Sequence, residues 1–200
     1  LQQRISSKID AFLSKTQFGF RKNKSTVQAF FIARRILDLG EQGQEKLSMI
    51  LLDWEKAFDR IDHERLIEAL SRLNIPSEIV DSIAALYKNP VFDVRLDNNT
   101  SKQYKQDCGI RQGCPLSPYL FILVMNVMFH DIYEGKEKQL AKGMLKEAGF
   151  FEILYADDIL LVSKDTKTLE TILHLIEEES KYYNLSLNKG KCNAITLNHT

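Results

Sequence analysis

Two apolar segments separated by only four residues constrain the fold of this chain most strongly. The segments are FFEIL (150–154) and ILLVS (159–163), and the YADD between them contains Asp157 and Asp158. Apolar segments of this length, joined by so few residues, are typical of two strands and a tight turn. The sequence therefore predicts a β-hairpin that carries two acids at its tip.

The remaining segments predict a mixture of helices and strands. LSMILLD (47–53) is a short, bounded apolar segment and predicts a buried strand that ends on Asp53. Further strands are predicted at 91–97 and 102–108, joined as a hairpin by NNTS, and at 185–187 and 193–197. Apolar residues at helical spacing predict helices at 2–14, 27–39, after Asp62, after Pro76, at 116–133 and at 166–183. Because these elements do not alternate as βαβ units, the fold class is α+β.

The charge balance argues mildly against a nucleic-acid-binding protein. Lys and Arg together number 27, as do Asp and Glu, so the net charge is zero, whereas nucleic-acid binders usually have a basic excess. The basic residues are nevertheless clustered, and each cluster alone is typical of a solvated face. The clusters are Arg21, Lys22 and Lys24, then Arg34 and Arg35, and finally Lys189 and Lys191.

The cysteine pattern argues against a disulfide framework and indicates an intracellular protein. Three cysteines form no CxxC pair, which predicts reduced thiols. Four scattered histidines lack the spacing of a structural zinc site. The most apolar stretch (120–129) is too short to span a bilayer, and no membrane partner is expected. The first residue, Leu1, and the final LNHT indicate that the sequence is a piece of a longer protein.

The three aspartates at strand ends predict a metal site. If the apolar strands pack side by side, then Asp53, Asp157 and Asp158 meet at one sheet edge. Like charges held close together need a cation to neutralise them, and Mg²⁺ prefers carboxylate oxygens together with substrate phosphates. Two such ions can clamp the attacking and leaving oxygens of a phosphoryl transfer. The alternative is that Asp53 caps a turn and that the other two are ordinary hairpin residues.

Four segments together resemble the motifs of reverse transcriptases. DWEKAFD (53–59) is similar to the first catalytic block of that family, and YADD (155–158) to its YxDD hairpin. GIRQGCPLSPYLF (109–121) resembles the block that supplies a glutamine to the nucleotide pocket, and QFGFRKNKST (17–26) resembles a fingers block. The four segments occur in the same order as the motifs of that family. The LSP that follows RQGCP resembles the non-LTR retrotransposon and group II intron enzymes of the family.

This resemblance implies a polymerase palm, an antiparallel sheet backed by helices, with part of the fingers. The reverse transcriptase region would cover about residues 17–197, with partial fingers at 1–46 and the palm at 47–200. The block that should precede QFGF is missing and no thumb follows the last strand, so we expect a polymerase fragment.

The resemblance also implies roles for the acids and for one lysine. Asp53 and Asp157 would bridge two Mg²⁺ ions, with Mn²⁺ as an alternative, and Asp158 would be the supporting acid. Lys191 would protonate or neutralise the leaving pyrophosphate, although Lys189 is close enough to be confused with it.

Five residues would form the nucleotide pocket on the same resemblance. The carbonyl of Trp54 would bind metal, and the N–H groups of Ala57 and Phe58 would meet the triphosphate. The Phe58 ring would exclude a ribose 2′-hydroxyl, and Gln112 would line the pocket, with Gly113 allowing close approach.

Three further residues have less distinctive assignments. Arg21 would touch template or phosphate, with a solvated loop arginine as the alternative. Tyr155 would support the primer strand, with half-buried packing as the alternative. Asp59 matches a family acid, for which we expect a structural hydrogen bond.

The function implied is that of an RNA-directed DNA polymerase, a nucleotidyltransferase that acts on an RNA template, a DNA primer and dNTPs. A group II intron-type maturase, or a degenerate copy that binds RNA without polymerising, is the alternative. A nucleotide cyclase is a third possibility, but it has no obvious use for RQGCPLSP.

Overall fold

A computed structural model describes residues 4–5, 9–145 and 148–198. The helices are α1 (Thr26–Gly43), α2 (Ala57–Arg60), α3 (His63–Arg72), α4 (Ser77–Tyr87), α5 (Ser117–Tyr133), α6 (Glu137–Leu140) and α7 (Thr166–Tyr182), with a 3₁₀ turn at Ala141–Gly143. The strands are β1 (Leu47–Leu52), β2 (Val91–Phe92), β3 (Arg95–Leu96), β4 (Asn99–Thr100), β5 (Tyr104–Lys105), β6 (Glu152–Tyr155), β7 (Asp158–Ser163) and β8 (Asn193–Leu197).

Four of the strands form one antiparallel sheet in the order β6-β7-β1-β8. Leu52 pairs with Ile159 across β1 and β7, and Tyr155 pairs with Asp158 across the β6–β7 hairpin. The hairpin turn therefore consists of two residues, Ala156 and Asp157. Asp158 is consequently the first residue of β7 rather than part of the turn.

The two faces of the sheet are covered unequally. Alternate residues of a strand point to opposite faces, and Leu52 and Ile159 pack into the main core with the almost fully buried helix α5. Met49, on the other face, packs in a smaller core beneath α1. On that second face Leu51 is 46% exposed, so α1 covers the far part of the sheet and leaves the end near Asp53 open.

Residues 16–18 extend the sheet at its β6 edge, which the sequence did not predict. Gln17 bridges Leu154 in parallel, and the Leu154 N–H donates to the carbonyl of Thr16 at 2.9 Å. The hydroxyls of Thr16 and Tyr133 donate to the Glu152 carboxyl at 3.0 and 2.8 Å. Burial raises the pKa of Glu152. The polar stretch after residue 16 is therefore fixed onto β6.

Most predicted elements are confirmed, with three differences. Asp62 caps α3 by accepting from the N–H groups of Glu64 and Arg65, as its type predicts. The hairpin predicted at 91–108 is present but interrupted: β2 pairs with β5 and β3 pairs with β4, and the chain turns at 97–98 rather than at NNTS. Residues 185–187 form no named strand, and the helix predicted at 2–14 lies partly outside the described residues. The domain division at residue 46 stays a prediction.

Candidate functional site

The sheet register brings the predicted acids to one end of the sheet. Continuing the β1–β7 register by one pair beyond Leu52 and Ile159 places Asp53 opposite Asp158. Both then lie on the α1 face, because neighbouring residues in a strand alternate between faces. Asp157 occupies the adjoining turn. The acids that the sequence places at strand ends therefore lie at one end of the sheet, and their role as a metal site stays a prediction.

The electrostatics at this edge are those of acids that crowd one another. The pKa of Asp158 is raised, first by partial burial and then by the negative charges of Asp157 and Asp53. Each of these causes disfavours a further negative charge. A bound cation would reverse the effect, so the local field favours positive charge.

Asp53 supplies an oxygen that suits a metal ligand. Its Oδ2 atom is buried and has no hydrogen-bond partner in the described ranges, whereas buried polar atoms normally have one. The backbone carbonyl of Asp53 accepts from the N–H of Asn188 at 2.8 Å, which fixes the residue. Together with Asp157 and Asp158 this is an all-oxygen donor set, the type that Mg²⁺ prefers.

Lys189 and Lys191, the two candidate lysines, pair with different acids. Lys191 Nζ lies 3.8 Å from Asp53 Oδ2. Lys189 instead pairs with Glu177 at 2.7 Å. Lys191 is held near the acids because the N–H of Lys191 donates to the carbonyl of Asn188, the residue that also anchors Asp53. Of the two, Lys191 is thus the lysine beside the acids.

The loop after Asp53 reverses the chain before α2. Trp54 forms an antiparallel bridge with Leu187, and Lys56 takes a left-handed conformation with φ of 49°. Helix α2 then begins at the buried Ala57, and no side chain in the described ranges caps its first turn. The first N–H groups of a helix have no partner within the helix, so those of Ala57 and Phe58 are available to an acceptor.

Phe58 is half-buried and has a defined neighbour. Its ring stacks on Phe121, with centroids 4.5 Å apart and planes at 18°. Phe121 itself is fully buried in α5. One face of the Phe58 ring therefore belongs to the core, and its role at the nucleotide stays a prediction.

The glutamine block lies against α2. The N–H of Ile110 donates to the carbonyl of Phe58 at 2.6 Å. Gln112 is exposed, and its Nε2 donates to Asp59 Oδ1 at 2.9 Å. Gly113 has φ of 82°, and a Cβ atom there would meet no atom within 4 Å. Asp59 thus makes a hydrogen bond to the side chain that the sequence assigned to the nucleotide pocket.

Substitution of Gly109 tests how closely this block must approach α2. Gly109 has φ of 91°, and an added Cβ would lie 2.6 Å from the carbonyl oxygen of Asp59. We expect Gly109→Ala to lower the free energy of unfolding by about 3 kcal/mol or more. Denaturant unfolding of the chain measures this loss.

Gly135→Ala is the matched control. Gly135 also has positive φ, 72°, but an added Cβ would meet nothing within 4 Å, so it isolates the backbone strain of about 1–2 kcal/mol. Equal losses in the two variants would show that the contact with Asp59 is unimportant.

Arg21 points into the protein. Its side chain is 7% exposed and pairs with Asp10 at 2.8 Å. Its Nη1 also donates to the carbonyls of Ser14 and Gln17 at 2.6 and 3.1 Å. These bonds tie the loop that follows residue 17 to the segment before it. Contact of Arg21 with nucleic acid stays a prediction, and it would require some of these bonds to be given up.

A groove lies beside the acids on the open face of the sheet. It encloses about 360 Å³ between the start of α1 and strands β1, β6 and β7. Tyr155 and Asp158 line one side and Phe30 the other, and Phe30 is 76% exposed. The half-buried Tyr155 therefore faces a space next to Asp158, and support of a primer strand by Tyr155 stays a prediction.

Another acidic group is less suited to a metal. Among the described residues, the ligand atoms of His130, Asp131 and Glu134 all lie within 4.8 Å of one another, and Asp53, Asp157 and Asp158 are not so tightly grouped. However, Asp131 makes two hydrogen bonds to the Arg72 guanidinium, which lowers the pKa of Asp131 against the opposing effect of burial. The Arg72 guanidinium already supplies a positive charge at this position.

Two residues near the acids were missed by sequence reasoning. Gln17 and Gly19 contact the turn of the β6–β7 hairpin. Both lie in the QFGF segment, where a glycine between two phenylalanines was the available signal for a close backbone approach.

Other findings concern cysteines and membranes. Cys108, Cys114 and Cys192 are unpaired. In the part of the chain that the structure describes, no helix is both long and apolar enough to cross a membrane.

Comparison with solved structures identifies the fold. Apo telomerase from Candida Tropicalis, truncated from its C-terminal domain, superposes with a TM-score of 0.71 at 17% identity. The match covers all of this chain and 40% of the telomerase chain. Telomerase from the same organism with a TWJ fragment of telomeric RNA also gives 0.71, covering 98% of this chain and 33% of that one. The α+β palm architecture with part of the fingers is thereby confirmed.

Several curated proteins from mobile elements are similar to this chain over most of its length. The Pol polyprotein of the R2 retrotransposable element of Nasonia vitripennis is 28% identical over 90% of this chain and 16% of the relative. The Transposon TX1 149 kDa protein of Xenopus laevis is 32% identical over 70% of this chain and 11% of the relative. The RNA-directed DNA polymerase of the mobile element jockey of Drosophila funebris is 27% identical over 96% of this chain and 21% of the relative.

The chain thus spans only about a tenth to a fifth of the length of these relatives. The family described as reverse transcriptase (RNA-dependent DNA polymerase) matches residues 1–199. Motifs, fold and relatives agree, and the chain belongs to the reverse transcriptase family.

Proposed function

We propose that this chain is the palm, with part of the fingers, of an RNA-directed DNA polymerase of a non-LTR retrotransposon. The observation that carries the proposal is the row of charges at one sheet edge: Asp158 opposite Asp53, Asp157 in the adjoining turn, and Lys191 at 3.8 Å from Asp53. The reaction is attack of the primer 3′-hydroxyl on the α-phosphate of a dNTP, with departure of pyrophosphate.

The three aspartates would hold two divalent cations, with Mg²⁺ as the expected ion and Mn²⁺ as an alternative. Asp53 Oδ2, which is buried and accepts no hydrogen bond from the described residues, and the raised pKa of Asp158 support such a site. When bound, Mg²⁺ lowers the pKa of the attacking hydroxyl and stabilises charge on the leaving oxygen. Asp53 and Asp157 would bridge the ions, and Asp158 would support them.

Lys191 and the first turn of α2 would handle the charge of the triphosphate. Lys191 is exposed, and its ammonium near Asp53 is placed to neutralise or protonate pyrophosphate as it leaves. The N–H groups of Ala57 and Phe58 are oriented donors of the kind that bind phosphate oxygens. The carbonyl of Trp54 would complete the metal ligands.

The nucleotide itself would lie between Phe58 and Gln112. The hydrogen bond from Gln112 Nε2 to Asp59 fixes the amide, so that its Oε1 stays free to accept from a ligand. The left-handed Gly113 leaves open space beside it. The Phe58 ring, anchored on Phe121, would fill the space that a 2′-hydroxyl needs.

A polymerase is favoured over a protein that only binds RNA. RNA binding draws on basic residues and stacking surfaces, and it requires no group of carboxylates. Asp53, Asp157 and Asp158 at one edge would repel an RNA phosphate unless a cation were bound between them.

Primer extension on an RNA template tests the proposal. The polymerase that carries this chain should add dNTPs to a DNA primer when Mg²⁺ is present and stop when the metal is chelated. The 200-residue chain alone provides the comparison. RNA binding by the longer protein without extension in either Mg²⁺ or Mn²⁺ would favour the maturase-like alternative.

A further inference from the structure

A buried glutamine from the fingers segment contacts the turn that carries the catalytic acids. Gln17 is 1% exposed. Its Oε1 accepts from the N–H of Gly19 at 2.7 Å and from the N–H of Ala156 at 3.3 Å. Ala156 is the first residue of the two-residue turn and immediately precedes Asp157. A side chain 139 positions away in sequence therefore bonds the backbone next to the acids.

Ala156, whose N–H donates to Gln17, has an unusual backbone conformation. Ala156 has φ of 58°, a left-handed conformation that alanine rarely adopts because its Cβ crowds the backbone. Such conformations persist when the surroundings enforce them. Ala156 is also buried, so loss of the Gln17 oxygen would leave its N–H without a partner.

Gly19 brings the same loop into direct contact with the turn. An added Cβ at Gly19 would lie 2.3 Å from the Ala156 nitrogen. This position requires glycine for space, since the three nearest atoms all belong to backbone. The N–H of Phe18 donates to the carbonyl of Leu154 at 2.8 Å, which fixes the loop to β6.

We propose that Gln17 is a positioning residue for the catalytic hairpin: its amide oxygen holds the Ala156 turn and thereby sets where Asp157 and Asp158 stand. Gly19 permits the approach that this requires. The proposal rests on the proposed polymerase function for its consequence, but the clamp itself is a property of the fold. Metal-binding sites commonly depend on such outer partners, whose loss costs about 10–100-fold in metal affinity or activity.

The test compares Gln17→Met with Thr16→Val in the polymerase that carries this chain. Methionine is similar in shape to glutamine but lacks the acceptor oxygen. Thr16→Val, one residue away, removes the hydroxyl bond to Glu152 at 3.0 Å and leaves the hairpin turn untouched. Both variants weaken the contact of residues 16–18 with β6, but only Gln17→Met removes a bond to Ala156.

Amide hydrogen exchange of the peptide containing Tyr155–Asp158, followed without metal, reports on the clamp and does not require polymerase activity. We expect faster exchange of this peptide in Gln17→Met than in Thr16→Val. In extension assays, the Mg²⁺ concentration for half-maximal rate should rise about 10-fold in Gln17→Met and remain unchanged in Thr16→Val.

The outcomes separate the clamp from the proposed function. Equal exchange in the two variants overturns the clamp, and so does an unchanged Mg²⁺ requirement accompanied only by a lower melting temperature. If the unaltered protein does not extend primers, the proposed function fails while the exchange result still decides the clamp. Should Gln17→Met not fold, Gly19→Ala displaces the same turn sterically and is measured in the same way.

Discussion

Asp157→Asn should lower RNA-templated primer extension by on the order of 10³-fold or more, because a neutral amide cannot replace the charge that binds a divalent metal. Asp53→Asn should have the same effect, since its Oδ2 is a buried oxygen that accepts no hydrogen bond in the described part of the chain. Asp158→Asn should also be severe, although less complete. Steady-state extension at saturating primer–template measures each loss.

Glu55→Gln is the matched control for these variants. Glu55 is in the same loop as Asp53, but its carboxylate pairs with Arg60 at 2.7 Å on the surface. Exposed ion pairs contribute about 0–1 kcal/mol, so extension should remain near normal. Melting curves of all four variants should stay close to that of the parent, because replacing crowded acids relieves repulsion. Near-normal extension by Asp157→Asn would place the metal chemistry elsewhere.

Phe58→Val should raise the incorporation of ribonucleotides relative to deoxyribonucleotides by about 10–100-fold. The phenyl ring has no group that could bond a 2′-hydroxyl and fills the space that this hydroxyl needs. A buried hydroxyl without a partner is costly. Valine is smaller and opens that space, while its branched side chain keeps part of the contact with Phe121. Single-nucleotide extension with competing dNTP and rNTP measures the ratio.

The structure also gives Phe58 a second role that the experiment must separate. Because its ring stacks on Phe121, the substitution should cost stability as well, about 1–2 kcal/mol for a half-buried ring. Phe121→Val removes the other half of the stack from the buried side and supplies the control. It should lower the melting temperature without changing the sugar preference. If the two variants lose stability and activity alike, with unchanged selectivity, Phe58 is a core residue and not a gate.

Local sequence patterns were sufficient for most of the elements and for the position of the acids at strand ends. The apolar segments on either side of YADD, and the one that ends at Asp53, formed strands where predicted. Asp62 capped α3 because an N-cap depends only on the residues next to it. Short-range features of this kind can be inferred from spacing because each strand or cap is decided within a few residues.

Contacts between distant segments could not be inferred in the same way. Whether Lys189 or Lys191 approached Asp53 depended on where Glu177 and Asn188 lay after folding. The inward direction of Arg21 depended on the carbonyls of the preceding turn. The spacing of Lys189 and Lys191 in the sequence contains no information about which of them pairs with a carboxylate on helix α7.

The sequence by itself determined that two apolar strand ends carry acids and that the family motifs occur in order. Only the tertiary structure decided that the β1–β7 register brings Asp53 near Asp158 and that the Gln17 oxygen accepts from the N–H of Ala156, the residue before Asp157. The physical reason is that side-chain alternation fixes which residues share a face within one strand. The register between strands, and the contact of a loop with a turn 139 residues away, depend instead on how the whole core packs.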